Sequence, residues 1–253
     1  MRIVPALCDR AIPLERRRWA SGAVSLDAAL AGGLAHGAVH EIYAAEVADA
    51  AAAAGFSAAL MAGMTGQVRT SLWLRSRRAA RQGGSLQASG WAELGGTPGR
   101  GLVGIVPDAL TLLRAAVDAL HCPTLGTVVA ESWGRMPELD LTASRRLALA
   151  AEKSGTTLML LRIEADPVPS AAETRWSVAS APSRALAANA PGIPTFDITL
   201  LRQRSGPSGM SWRLEWDRDQ CIFRETALPG AVVPVSFGGP VADRAGGAMS
   251  QVA

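Results

Sequence analysis

The stretch AVHEIYAAEVADAAAAAG (residues 38–55) joins an apolar run, Ala38 to Tyr43, to an alanine-rich block through a short acidic link. An unbroken apolar run after Gly37 predicts a buried strand, and alanine's high helix propensity predicts that a helix follows. A strand running through a tight turn into a helix is where open α/β sheets bind nucleotides, because backbone N–H groups and the helix N-terminus cradle phosphate. The triphosphate version requires G-x-x-x-x-G-K-[ST], with lysine on the outer phosphates and a hydroxyl on magnesium. Between Tyr43 and Gly55 there is no glycine, lysine, serine or threonine, and Glu46 and Asp49 supply negative charge instead. The approach to a phosphate loop is present; its chemistry is not.

The surrounding sequence repeats the strand-then-helix theme. SLWL (71–74), GLVGIV (101–106), LGTVVAESW (125–133) and TTLMLLR (156–162) are further apolar runs. Between the middle two, Leu110, Leu113, Val117 and Leu120 recur at helical spacing with Asp108 as cap. DLTASRRLALAAEKSG has Asp140 or Thr142 to start a helix, Lys153 in its last turn and Gly155 to stop it. Apolar strands alternating with helices imply a mostly parallel sheet flanked by helices on both faces. From about residue 173 the strands follow one another without helices: ETRWSVAS, FDITLLRQR, SWRLEW and CIFRE. Alternation in the last two predicts a hairpin with Trp212, Leu214 and Trp216 on one side and Arg213 and Glu215 on the other. The expected organisation is a basic lead-in over 1–22, one α/β domain over 23–227 with an antiparallel extension, and a flexible Gly/Pro-rich tail over 228–253.

The chain has 253 residues, 49% of them hydrophobic, enough for a single domain with a substantial core. Its net charge of +3 permits contact with nucleic acid without arguing for it. Lys153 is the only lysine among the 25 basic residues, so no realignment of the alanines supplies a phosphate-binding lysine. Cys8, Cys122 and Cys221 are odd in number and widely spaced, which fits a reducing compartment. The N-terminal apolar runs are broken by Pro5, Asp9 and Pro13, unlike a signal peptide. No run reaches the roughly 18 to 20 apolar residues of a membrane helix without charge or glycine. A cytoplasmic location is expected.

SLDAALAGGLAHGAVHEIY resembles the segment leading into the nucleotide site of RecA-type recombinases. Carried over residue by residue, Ala44 falls on the loop's first glycine, Asp49 on its second, Ala50 on the lysine and Ala51 on the hydroxyl residue. The family's catalytic acid falls in LWLRSRR, where Arg75 and Ser76 stand. Glu131 and Ser132 are similar to the acid and serine that follow the Walker B strand. Without a phosphate loop Glu131 reads as a strand-end carboxylate. A narrower resemblance covers nearly the whole chain: GGLAHGAVHEI, DLTASRRLALAAEKSG, ETRWSVASAPS and FDITLLRQRSG followed by SWRLEWD look like the ImuA family of RecA/SulA-like accessory proteins. That resemblance implies a non-catalytic partner, under the SOS response, of an ImuB-like Y-family protein and an error-prone polymerase III alpha-type subunit. RecA and DNA are further expected contacts, and no cofactor is expected. A SulA-like inhibitor of cell division and a divergent RecA-type ATPase remain open alternatives.

Other residues were weighed as sites. GFSAA (55–59) approaches a nucleophile elbow, but Ser57 follows helix-forming residues where a strand is needed. His36 and His40 are four apart, with Gly37 denying them one helical face, so no metal site is expected. His121 and Cys122 close a helix before Pro123. Candidate contacts to a partner or DNA phosphate are Arg75, Arg77, Arg78 and Arg81 after a strand, Arg145 and Arg146 opening a helix, Arg202 and Arg204 near a glycine-rich turn, and Arg213. Arg175 adjoins Trp176, and no interleaved aromatics suggest a single-strand groove.

Overall fold

A computed structural model describes residues 17–66, 69–122, 124–183 and 192–226. In chain order the elements are β1 (Arg18–Trp19), α1 (Val24–Ala29), β2 (Leu34–Ala35), β3 (Val39–Ala44) and α2 (Ala50–Thr65). Then come β4 (Thr70–Ser76), α3 (Arg77–Gln82), α4 (Ala88–Glu93), β5 (Gly101–Val106), α5 (Ala109–Leu120) and β6 (Leu125–Trp133). The chain continues with α6 (Leu141–Ser154), β7 (Thr157–Ile163), β8 (Thr174–Ser180), β9 (Thr195–Gln203), β10 (Ser211–Asp217) and β11 (Ile222–Thr226). The tail expected over 228–253 and the first 16 residues lie outside the described residues. Arg18 and Trp19 pair with Ala35 and Leu34, so the end of the basic lead-in is part of the fold.

Nine strands form one sheet in the order β11-β10-β9-β8-β3-β7-β6-β4-β5. The neighbours from β8 through β5 are parallel, and β8 through β11 are joined antiparallel. This is the expected parallel core with an antiparallel extension, and β10 and β11 form the expected hairpin. Three helix boundaries follow the capping residues read from the sequence. Asp108 accepts a hydrogen bond from Thr111 N at 2.8 Å, Asp140 accepts one from Ala143 N at 2.7 Å, and Gly155 ends α6 in the left-handed conformation at φ 73°.

Two apolar layers cover the sheet. One carries α2 and an aromatic cluster in which Phe223 lies 4.7 Å from Trp216 and 5.4 Å from Phe56. The other packs α5 and α6 on Val39, Leu74, Val128, Ala130, Leu158 and Leu160. Trp176, Trp212 and Trp216 are all buried in the first layer. Gly63 on α2 makes this packing possible, since a Cβ there would sit 2.3 Å from the Trp19 ring. The segment Val47–Thr65 is long and apolar enough to cross a membrane, with mean hydropathy 1.4, but it is the helix packed between β3, β6, β7 and β8 in this core.

One expectation is corrected. The strand read at 71–74 runs on through Arg75 and Ser76, because Arg75 is neutralised by a partner on the adjacent strand. The glycine-rich stretch before residue 101 holds α4 and a 3-10 turn, Pro98–Arg100. Strand β5 forms one edge of the sheet and exposes Leu102, Val103 and Ile105.

Candidate functional site

The phosphate-loop position lies at the C-terminal end of β3, where the chain enters α2 through the 3-10 turn Val47–Asp49. Four of its amides already have acceptors. Ala45 N donates to Val178 O at 2.8 Å, Glu46 N to Asp49 Oδ2 at 3.2 Å, Asp49 N to Glu46 O at 3.0 Å, and Ala50 N to Val47 O. Asp49 is buried, and its Oδ1 accepts from both the amide and the hydroxyl of Ser180 on β8, each at 2.8 Å. A carboxylate thus sits at the N-terminus of α2, where the helix dipole favours negative charge and where a phosphate would otherwise be held. Ala44, Ala50 and Ala51 line this turn with methyl groups, and the Asp49 carboxylate is taken up by Ser180 and the Glu46 amide. Replacing Asp49 with alanine is expected to cost about 1–3 kcal/mol by leaving Ser180 and Glu46 donors unsatisfied. Faster hydrogen exchange at the Ser180 and Glu46 amides would report it; unchanged exchange would contradict it.

Glu131, which by sequence resembles the acid that follows a Walker B strand, is also occupied. Arg75 Nε donates to its Oε2 and Arg75 Nη2 to its Oε1, both at 2.7 Å, and Trp73 Nε1 donates to Oε2 at 2.8 Å. Arg75 also donates to the carbonyls of Ala79 (3.2 Å) and Gly84. Arg75 and Glu131 are 3% and 2% exposed. Arg75, expected at a ligand or partner surface, is therefore an internal counter-ion, and Glu131 is a structural carboxylate bound on both oxygens.

The other arginines form no single patch. Arg77, Arg78 and Arg81 are exposed on α3 at the C-terminal end of β4, and Arg78 pairs with Glu164 at 3.1 Å. Arg145 and Arg146 are exposed in the first turns of α6. Arg202 and Arg204 lie toward the opposite end, because antiparallel β9 brings them beside the start of β8. Arg202 donates to the carbonyls of Ser170 and Ala172 at 3.3 Å each. Arg213 is held bidentately by Asp197 at 2.6 and 2.7 Å, which raises its pKa.

Ser57 is helical and buried and donates to Ala53 O at 2.8 Å, which rules out a nucleophile elbow there. His40 is buried, with its ring nitrogens 2.7 Å from Thr174 Oγ1 and 2.9 Å from Ala35 O. Burial lowers the pKa of His36, and Arg17 and Arg69 lower it further. Among the described residues no three His, Cys, Asp or Glu side chains are placed to hold a metal ion. An apolar cavity of about 420 Å³ between α2, α4 and β5, lined by Ala54, Met61, Trp73, Trp91 and Val103, presents no titratable side chain.

The Asp49–Ser180 link and the Arg75–Glu131 pair join residues 131 and 56 positions apart. Only the acidic character of Asp49 and Glu46 in a loop position was visible locally. Ser180 and Trp73 carried no local signal of their roles.

No protein-family model matches the sequence, and none of the curated proteins matches it. Among solved structures the chain is similar to the crystal structure of the RadB recombinase, with a TM-score of 0.54 and 13% sequence identity over 83% of this chain and 100% of that one. Identity at that level speaks for the fold alone. The fold is RecA-like, with a mixed sheet that is parallel in its core and antiparallel in its C-terminal strands.

Proposed function

We propose that this chain is a non-catalytic RecA-like adaptor of the ImuA kind, working in a damage-induced translesion DNA synthesis complex. In this reading it binds an ImuB-like Y-family protein in the cytoplasm and reaches the error-prone polymerase III alpha-type subunit directly or through that partner. RecA and DNA are further contacts. The observation that carries the reading is the closure of the phosphate-loop position by Asp49 and Ser180, with Glu131 already bound by Arg75. A RecA-like core without means to hold a triphosphate retains surfaces, and its use is in contact. The β5 edge is open to strand addition and offers exposed Leu102, Val103 and Ile105, whereas the β11 edge is met by the chain's own Ser21–Leu26 segment, with Phe223 N donating to Ser21 O at 2.7 Å.

Two measurements test this reading. A fluorescent ATP analogue with magnesium should show no binding to the purified chain, and affinity in the micromolar range would restore the ATPase alternative. The full chain should co-purify with a co-expressed ImuB-like protein, and a chain ending at Leu228 should not. Failure of the full chain to do so would overturn the adaptor reading. Survival of the complex in the shortened chain would move the contact to the folded part, with the β5 edge first in line.

A further inference from the structure

Helices α5 and α6 lie side by side on the sheet face opposite α2, and they run in the same direction because each links two parallel strands. Between them is an open groove of about 880 Å³. Its floor is apolar: Leu113 and Val117 from α5 meet Leu147 and Ala150 from α6. Two further leucines line it without being covered, Leu110 at 44% exposed and Leu149 at 66%. Leu110 shares its helical stripe with Leu113 and Leu120, which are buried, yet Leu110 itself stays open to solvent. Single apolar residues scattered over a surface need no explanation, but an exposed leucine on each wall of one apolar groove marks an interaction site.

The two walls differ in charge. On the α6 wall the only charged side chains are Arg146 and Lys153, seven residues or about two turns apart on one face. Both are exposed, and neither has an ion-pair partner among the described residues. The α5 wall carries one charge of each sign, Arg114 and Asp118, with His121 at its end. Glu138 and Asp140 stand where α6 begins, and Asp140 is engaged there as the helix cap through Ala143 N. An occupant lying along α6 therefore meets two cations with nothing opposite them. Acidic side chains at i and i+7 on one flank of an apolar stripe are their complement, as in paired helices whose edge charges select the partner. At about 1.5 Å per residue the 12-residue α5 is roughly 18 Å long, so about three turns of helix fill the groove. A nucleic-acid strand fits it less well, because Leu110 and Leu149 would face phosphate and Asp118, Glu138 and Asp140 would repel it.

We propose that the groove between α5 and α6 is a docking site for an amphipathic helix of a partner protein, its apolar stripe on Leu110, Leu149 and the floor and its acidic flank along Arg146 and Lys153. The docked helix lies beside α5 and α6 as a third member of their layer. Arg146, one of the arginines expected to meet a partner or phosphate, thereby faces a carboxylate on protein. The proposal stands on the lining of the groove and not on the adaptor reading, so failure to co-purify with an ImuB-like protein leaves it intact.

The test is fluorescence polarisation of labelled peptides about 18 residues long, enough to form a helix, titrated with the full chain at low ionic strength. Three peptides share one leucine stripe and differ only in the flank, which carries glutamate, glutamine or lysine at i and i+7. The glutamate peptide should bind at least about tenfold more tightly than the lysine peptide, with glutamine between them, and added salt should narrow the difference. Leu149→Glu should abolish binding; its side chain is 66% exposed, so the fold should be kept, which circular dichroism checks. The double variant Arg146→Glu with Lys153→Glu should reverse the order and favour the lysine peptide, which a merely structural role of the two residues would not do. No binding of the glutamate peptide, equal binding of all three, or binding that survives Leu149→Glu would each overturn the proposal. Labelled single-stranded DNA that binds in place of the glutamate peptide and is lost in the double variant would give the groove to nucleic acid instead. Self-association of the chain that Leu149→Glu abolishes would give it to a second copy.

Discussion

Replacing Glu131 with alanine is expected to destabilise the protein by about 3–5 kcal/mol, the range for removing one partner of a buried ion pair. Arg75 would keep its charge in a place 3% exposed, facing two backbone carbonyls and no carboxylate. Trp73 Nε1 would lose its acceptor in the same step. The cost therefore comes from what is left behind, as well as from the bond removed. The double change Arg75→Met with Glu131→Leu removes both charges together and should recover much of the loss, because burying an ion pair already carries a large desolvation penalty. Urea unfolding of the three chains, compared at constant m-value, checks this. A Glu131→Ala loss below about 1 kcal/mol, the level of an exposed pair, would mean the carboxylate is not held as described.

Trp216→Ala should be of similar size, about 3–5 kcal/mol, for a different reason. The ring is 1% exposed and packs 4.7 Å from Phe223, and its Nε1 donates to Leu94 O at 3.0 Å. It couples the C-terminal hairpin to the α4 segment 122 residues earlier, so its loss both opens a cavity and frees a carbonyl. Trp216→Phe keeps most of the packing and loses the hydrogen bond, for which about 1 kcal/mol is expected. Comparable losses in the two variants would shift the weight from packing to the hydrogen bond.

These two residues show what could be read from the chain and what could not. Trp216 alternates with Leu214 and Trp212, and that period of two puts all three on one side of the hairpin, the side that the fold buries. Arg75 has the opposite history. An arginine followed by Ser-Arg-Arg looks like the end of a strand, and only the register of β4 against β6 reveals the acid that keeps it inside. Parallel strands align residues far apart in sequence, and local pattern carries no information on that alignment. The missing phosphate loop was legible because it is a matter of residue type at adjacent positions. How the gap was filled was not, since Ser180 arrives from β8.

The tie between Asp49 and Ser180 bears on timing. Loops that hold a nucleotide's outer phosphates change shape when the bond is cut, which gives such proteins an internal clock. Here the corresponding turn is fastened to a neighbouring strand through the chain's own carboxylate. In the adaptor reading proposed above, that fastening would present a partner with one and the same surface at every encounter, and control would come from outside, through how many copies the cell makes and how soon it removes them.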